Sequence, residues 1–232
     1  MAKGVTILSI ETATQVCSVA VHRDGHLLGI SELNLGNAHG SKLLRLIESL
    51  LLHLDLDTDS LDAVAVSCGP GSFTGLRIGV STAKGLCFAR QIPLIAVDTL
   101  EGLAAPIVDI VECNSHIIPM LDAKRHEVYA AIFQGNGIVL KPSHPLVVEN
   151  NPFLELLETG KVYFLGDGVN KLKVVLGHPN AVFLADLNSA IGVGKLAYRK
   201  FVNGKFEDLA YFEPNYLKEF RVIASKKNPL EV

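Results

Sequence analysis

The stretch VTILSIETATQVCSVAVHRDGHLLGI, residues 5–30, predicts three strands in succession. Val5–Ile10 is a nearly continuous apolar run, which is typical of a buried strand, and it ends at Glu11. Cys17–Val21 is a second apolar run, and the hairpin signal Asp24-Gly25 separates it from a third. The stretch therefore predicts a three-stranded meander with a buried first strand.

The same arrangement returns in the second part of the chain. Ile117–Leu121 is an apolar strand that ends at Asp122, and Val128–Ile132 and a glycine turn follow it. In both copies the second strand begins six positions after the acidic residue, and the turn begins thirteen positions after it. Agreement of acid, strand spacing and turn predicts two related halves, which we place at residues 1–103 and 104–232.

Helices and further strands are predicted around the two meanders. The predicted helices are 37–57, the segment that ends near Ala89, Pro152–Glu158, Gly168–Leu176 and Ala190–Val202, and the predicted strands are Ala63–Ser67, Ile92–Val97 and Val162–Leu165. This order is typical of a mixed α/β fold. Because no low-complexity linker separates the halves, we expect them to pack around a cleft, with the final tail returning to the first half.

Composition places the chain among ordinary globular proteins. With 232 residues, 49% of them hydrophobic, it can bury a sizeable core, and a net charge of −3 gives no field that would hold a polyanion unaided. The four cysteines form no CxxC pair, which indicates a reducing compartment. The first residues do not resemble a targeting segment and no apolar run is long enough for a membrane helix, so we expect a soluble cytoplasmic protein.

The stretch SCGPGSFTGLRIGVSTAKG, residues 67–85, is rich in glycine and joins a predicted strand to a helix, as phosphate loops do. The P-loop pattern GxxxxGK[ST] is absent, because Lys84 lies nine residues after Gly75, well inside the helix. The dinucleotide pattern GxGxxG is one residue out of register. A nucleophile at Cys68 or Ser72 is also unsupported, since the GxSxG turn and a recognisable histidine and carboxylate order are missing.

Small residues recur every four positions along two lines of the helix in this stretch. The first ridge is Gly75, Gly79 and Ala83, and the second ridge is Ser81, Gly85 and Ala89. Each interior glycine costs roughly 1 kcal/mol of helix stability relative to alanine, so a close backbone contact is the expected compensation. That contact is made either with the chain's own sheet and first helix or with another chain.

The predicted first helix has more apolar surface than one core requires. A one-sided helix needs an apolar stripe of about 100°. At about 100° per residue, this helix has an apolar arc of about 160°, formed by Leu43, Leu44, Leu46, Ile47, Leu50, Leu51 and Leu54. Leu52 lies outside that arc. A second buried face, and hence a protein partner, is the favoured interpretation; the alternative is that the second half of the chain covers it.

Acidic residues and histidines offer few ligands for a metal. Glu11 and Asp122 end equivalent strands, where they either hold a metal-bound phosphate across the cleft or cap turns. His39 opens the predicted first helix, but no second histidine stands at HxxxH or HExxH spacing. We therefore predict no catalytic, cofactor-binding or metal-binding residues in this chain.

Five segments of the sequence resemble the TsaB family, which is known as YeaZ in enterobacteria. They are ILSIETAT (7–14), GPGSFTGLRIG (69–79), VDTLE (97–101), LDAKRHEVYAA (121–131) and PNYL (214–217). GPGSFTGLRIG is a highly specific string, and the ordered set spans nearly the whole chain. The resemblance implies the actin, sugar kinase and Hsp70 (ASKHA) fold, with two related α/β halves and central mixed sheets.

The resemblance also implies a role in forming N6-threonylcarbamoyladenosine next to the anticodon of tRNAs that read ANN codons. In that pathway the paralogue TsaD transfers the threonylcarbamoyl group and TsaE is a small ATPase, so ATP and metal are used by these partners. TsaB is implied to be a noncatalytic subunit that forms a heterodimer with TsaD and a ternary complex with TsaE. Without its partners it is implied to form a homodimer, and it is implied to contact tRNA only as part of the complex. The alternatives are an ATP-dependent transferase or glycoprotease-like hydrolase, and direct tRNA binding.

Specific residues follow from the resemblance. Kinases of this fold hold phosphate at the first hairpin with an acid, a glycine and a hydroxyl residue, but this chain has alanine at position 13, where backbone approach favours glycine. Glu11, Thr12 and Asp122 are therefore predicted to mark degenerate phosphate turns. The two helices of the first half are implied to dock TsaD. The residues expected at or beside that interface are Leu44, Leu51, Gly75, Gly79 and Ala83.

Overall fold

The computed structural model describes residues 4–36, 38–125, 127–147, 150–184 and 188–217, which form the following elements. The strands are β1 Thr6–Glu11, β2 Val16–Arg23, β3 His26–Asn34, β4 Ala63–Ser67, β5 Leu94–Val97, β6 His116–Asp122, β7 Glu127–Gln134, β8 Val139–Val147, β9 Val162–Leu165 and β10 Ala181–Phe183. The helices are α1 His39–His53, α2 Phe73–Arg90, α3 Thr99–Ala104, α4 Leu154–Thr159 and α5 Ala190–Val202.

The strands form two five-stranded sheets with the same topology. The first sheet has the order β3-β2-β1-β4-β5, and the second has the order β8-β7-β6-β9-β10. In each half the first three strands form an antiparallel meander, and the last two run parallel to the first strand. The duplication predicted from the two meanders is therefore confirmed, and it extends to both complete sheets.

Alternation along β1 explains how the helices are distributed. Leu8 and Ile10 point to the side of the sheet that α1 and α2 cover. Ile7 points to the opposite side, where it packs with Val193 and Ala197 of α5. Because α5 belongs to the second half of the chain but covers the first sheet, a buried helix joins the two halves.

The helix predicted over Gly168–Leu176 is wrong, and the short elements α3 and β10 were not predicted. Asp167–Lys171 forms a short 3-10 helix. A Cβ atom on Gly168 would lie 2.9 Å from the carbonyl carbon of Leu121, so close backbone contact shapes this segment rather than helical periodicity. α3 has six residues, which are too few for a period of 3.6 residues to show in the sequence.

The segment that follows α5 runs back over the first half. Lys84 of α2 donates hydrogen bonds to two backbone carbonyls of this segment. The Asn215 N–H donates to the Cys68 carbonyl (2.7 Å), so the segment crosses the beginning of α2. Residues 218–232, which include the terminal IASKKNPLEV, lie outside the described residues. None of the described helices has the length and apolar character needed to cross a membrane.

Candidate functional site

A cleft of about 1470 Å³ lies between the two halves. It is lined by the turn after β1, the stretch Pro70–Gly75, the turn after β6, the amino end of α1 and the tail residues Asn215–Leu217. The carboxyl ends of strands are where α/β folds place their ligands. The cleft is therefore the first candidate site, and the acids that end β1 and β6 are its first candidate residues.

In the turn after β1, the polar side chains form hydrogen bonds within the protein. Glu11 is buried, and its carboxylate accepts a hydrogen bond from the Ala13 N–H (2.6 Å). Burial raises the pKa of Glu11 to about 7, although hydrogen bonds, among them those from Ala13 and Asn188, act to lower it. Thr12 is also buried and donates its hydroxyl to the Gly75 carbonyl (2.9 Å). Both side chains therefore stabilise the turn and its contact with α2.

The turn after β6 is more open, but its acid is also engaged. Asp122 accepts a hydrogen bond from the Lys124 N–H (2.6 Å), and its carboxylate pairs with the ammonium group of Lys171. The Asp122 N–H donates to the Asp167 carboxylate (2.8 Å). Within the described ranges, no three His, Cys, Asp or Glu side chains are grouped so that they could hold a metal ion. A carboxylate that is bound to a lysine is poorly placed to hold a metal-bound phosphate.

The glycines after Pro70 are used for close packing. A Cβ atom on Gly75 or Gly79 would collide with Thr12, and one on Gly71 would lie 2.6 Å from the Cβ atom of Ala13. α2 therefore lies directly on the turn after β1, which is the close backbone contact that the spacing of the first ridge predicts. The partner in this contact is the chain's own first strand and turn.

The structure places the five interface residues expected from the sequence in two different environments. Gly75, Gly79 and Ala83 are buried on the inner side of α2, and Leu51 is buried in the core that α1 and α2 share with the first sheet. Leu44 has an exposed side chain, with 64% of its surface accessible. The first four residues therefore support the helix pair from within, and Leu44 alone of the five offers contact surface.

The outward side of the same two helices carries small and apolar residues, and we call it the outer helix face. It consists of Leu44, Leu52, Ser81, Gly85, Phe88 and Ala89, all exposed. Leu52 is 72% and Phe88 is 71% exposed, and a Cβ atom on Gly85 would meet no other atom within 4 Å. A shallow groove of about 370 Å³ runs beside Leu44 and Leu52. In the described part of the chain these six residues stay exposed, although the tail after α5 contacts α2 nearby, at Lys84.

Comparison with known proteins decides the family. A family model described as TsaD, tRNA N6-adenosine threonylcarbamoyltransferase, matches residues 29–211. The tRNA threonylcarbamoyladenosine biosynthesis protein TsaB of Escherichia coli (strain K12) is 32% identical over 237 residues, which cover 96% of this chain and 98% of that protein. The chain belongs to the TsaB family. The resemblance carried by the five sequence segments is thus confirmed.

Solved structures agree with the assignment to the TsaB family. An uncharacterized protein with similarity to peptidase YEAZ, from Pseudomonas aeruginosa, is 27% identical and has a TM-score of 0.82, covering 92% of this chain and 100% of that one. Component A of (R)-2-hydroxyglutaryl-CoA dehydratase from Acidaminococcus fermentans is 12% identical with a TM-score of 0.55, covering 85% of this chain and 99% of that one. The latter likeness concerns the fold alone. The predicted ASKHA fold is confirmed.

This member of the TsaB family also holds a side-chain cluster that the sequence does not predict. The Arg77 guanidinium lies 3.9 Å from the centroid of the Phe73 ring, and its Nε atom donates to the Tyr216 hydroxyl (3.2 Å). The rings of Phe73 and Tyr216 are 4.5 Å apart. The segments GPGSFTGLRIG and PNYL are both visible in the sequence, but 139 positions separate Arg77 from Tyr216 and no periodicity connects them. The cluster holds the tail against α2 at the edge of the cleft.

Proposed function

We propose that this chain is a noncatalytic subunit in the formation of N6-threonylcarbamoyladenosine in tRNA, and that it acts by binding TsaD and holding it in an active shape. The relative from Escherichia coli is named for this pathway, and the matching family model is that of the transferase. Because the chain matches the transferase family over most of its length, a heterodimer can pair equivalent helices of the two proteins.

The observation that carries the proposal is the outer helix face. A solvent-facing glycine inside a helix lowers stability by roughly 1 kcal/mol relative to alanine, yet Gly85 makes no internal contact that requires a glycine. Burial of an exposed leucine or phenylalanine side chain is favourable by roughly 1.5–3 kcal/mol. A partner helix that packs along the second ridge and covers Leu44, Leu52 and Phe88 accounts for both features.

Polar residues in and beside the cleft support a role without catalysis. Glu11 and Thr12 take part in internal hydrogen bonds, and Asp122 is paired with Lys171. In this proposal ATP and metal are bound by the partner proteins, TsaE completes a ternary complex in the cytoplasm, and tRNA meets the chain through that complex. The net charge of −3 is consistent with a chain that does not bind tRNA by itself. Without TsaD, the outer helix face pairs two copies of the chain into a homodimer.

The variant Gly85→Leu tests the proposal, because the new side chain projects into open space and leaves the monomer folded. We expect it to weaken TsaD binding about 100-fold, measured by calorimetry, and to abolish reconstituted tRNA modification. Gly85→Ala is the matched control and keeps the complex. Unchanged TsaD binding by a folded Gly85→Leu chain would overturn the proposal.

An enzyme that acts in the cleft, as an ATP-dependent transferase or a glycoprotease-like hydrolase, is the competing function, and the size of the cleft is the observation that favours it. Titration of the isolated chain with ATP and magnesium, followed by thermal shift and phosphate release, separates the two functions. Saturable binding with turnover favours the enzyme. If tRNA modification requires this chain but the chain itself does not hydrolyse ATP, the result supports the noncatalytic subunit.

A further inference from the structure

The outer helix face is symmetric about one residue in each helix. In α1, the exposed Leu44 and Leu52 lie four positions before and after Glu48, which is exposed as well. In α2, the second ridge has Gly85 at its centre, with one small residue four positions before it and another four positions after it. Such a face presents similar groups when it is turned end over end, so a second copy of the same face can pack against it.

The centres of symmetry in the two helices lie side by side. Near the amino ends, a Cβ atom on Gly40 of α1 would lie 3.8 Å from the Cδ1 atom of Ile78 in α2. Glu48 and Leu86 follow these two residues by eight positions, and they line the same groove. α1 and α2 therefore run in the same direction, and Gly85 lies beside Glu48. A single two-fold axis, perpendicular to both helices, can pass both centres.

Charged residues are distributed along α1 in the order that its helix dipole disfavours. Lys42 and Arg45 are exposed in the first two turns, whereas Glu48 is exposed further along and Asp55 just beyond the carboxyl end. The amino end of a helix dipole is positive, so cations there are unfavourable. In the described part of the chain, none of these four side chains forms an ion pair. A partner that presents charges in the opposite order accounts for this arrangement.

We propose that a second copy of this chain binds the outer helix face in an antiparallel orientation, with α1 on α1 and α2 on α2. This inference rests on the proposed function, in which the outer helix face is the docking surface, and it adds how two copies align there. Leu44 of each copy packs against Leu52 of the other. The two α2 helices approach each other most closely at Gly85, where no side chain separates their backbones.

The exposed charges favour this orientation over the parallel one. Arg45 of one copy faces the stretch between Glu48 and Asp55 of the other, and both acids lie within about 6 Å of it along the helix axis. The two-fold axis repeats this contact, so it occurs twice. A parallel orientation would instead bring together the basic amino ends of the two copies, which carry Lys42, Arg45 and Arg77. Charge complementarity therefore selects the antiparallel pair.

Sedimentation of the full chain over a range of concentrations measures self-association. We expect Arg45→Glu and Glu48→Arg each to weaken it about tenfold, because each change places like charges opposite each other. An equimolar mixture of the two variants should recover most of the affinity, since the new acid of one variant then faces the new base of the other. Arg199→Glu changes an exposed residue of α5 and is the matched control, which leaves self-association unchanged.

Chemical cross-linking with a short bismaleimide tests the orientation. Ser81 and Ala89 are exposed and stand about 12 Å apart along α2, but the antiparallel pair brings Ser81 of one copy to Ala89 of the other. Chains with Ser81→Cys or Ala89→Cys, each combined with Cys113→Ser to remove an exposed thiol, should therefore cross-link efficiently only when they are mixed.

Each outcome supports or overturns the antiparallel pair. A chain that stays monomeric overturns it, and so do cysteine variants that cross-link no better when mixed. A mixture of Arg45→Glu and Glu48→Arg that associates no more tightly than either variant alone overturns it as well. The same holds if Glu158→Arg, on the exposed side of α4, rescues Arg45→Glu equally well. These measurements use this chain alone and Gly85→Leu tests TsaD binding, so a failure of the pair and a failure of the proposed function are distinguishable.

Discussion

The two ridges of α2 have the same spacing in the sequence and opposite environments in the structure. The first ridge lies on the turn after β1, where a Cβ atom on Gly79 would strike Thr12. The second ridge lies in solvent, and the Cβ position of Gly85 has no neighbour within 4 Å. A line of small residues therefore indicates close packing in the first case and an unoccupied surface in the second, and the position of the helix on the sheet decides between them.

The largest expected effect separates the two ridges directly. Gly79→Leu forces a side chain against Thr12 and Val66, and we expect it to lower the free energy of unfolding by about 3 kcal/mol or more, measured by urea denaturation. Gly85→Leu is the matched control, because the same change in open space should leave stability equal or slightly higher. Equal stabilities of the two variants would contradict the assignment of inner and outer sides.

Spacing along the chain predicted the strands and the longest helices well, because each buries one regular face. Ala63–Ser67, Val162–Leu165 and Ala190–Val202 form elements with the predicted bounds. Gly168–Leu176 did not become a helix, since Gly168 is packed against the backbone of Leu121 and distant contacts of that kind leave no local pattern. The close contact of the first ridge was predictable, but its partner was not.

A second prediction tests whether water is excluded from Glu11, in the turn after β1 that the first ridge covers. Folding raises the pKa of Glu11 from 4.5 to about 7 because of burial, so the folded chain binds the proton more tightly than the unfolded chain. This contribution to stability is complete below pH 4.5 and is lost as the pH rises through about 7. Glu11→Gln does not titrate, so its stability relative to the unchanged chain should increase by up to about 3 kcal/mol between pH 4.5 and 8.

Urea denaturation of both proteins at several pH values measures this difference. A gap between Glu11→Gln and the unchanged chain that stays constant with pH would show that the Glu11 carboxyl titrates normally. In that case water would reach the turn under the first ridge. The two ridges would then differ less in solvent exposure than the packing indicates.

The third prediction concerns the leucines of α1 beside the second ridge. Leu52→Glu places a charge on the outer helix face, and we expect TsaD affinity to fall about tenfold while the free energy of unfolding changes little. Calorimetric titration against TsaD measures the loss. Leu154→Glu changes an exposed leucine of α4 in the second half and is the matched control. Equal losses in the two variants would mean that charge in general, and not this face, weakens the complex.

The candidate site was less predictable than the fold, because its parts come from distant segments. The sequence identified Glu11 and Asp122 as ends of equivalent strands, and the family resemblance added Thr12 to the degenerate phosphate turns. The structure places all three beside the cleft with their polar groups engaged. The contact between Arg77 and Tyr216 joins residues 139 positions apart, which no local pattern reveals. Leu44 is exposed, in keeping with an apolar arc of the first helix that is wider than one core requires, and its place at a partner interface stays a prediction.

The smallest expected effect is also the most specific to the second ridge. Gly85→Ala removes the conformational cost of an exposed glycine, so the free energy of unfolding of the monomer should increase by up to about 1 kcal/mol. The same methyl group would narrow the space that a partner backbone uses, so TsaD affinity should fall slightly, and by less than for Leu52→Glu. Thermal denaturation and calorimetric titration on one protein preparation measure both quantities. A gain in stability together with a gain in affinity would mean that the glycine is not retained for close approach of a partner.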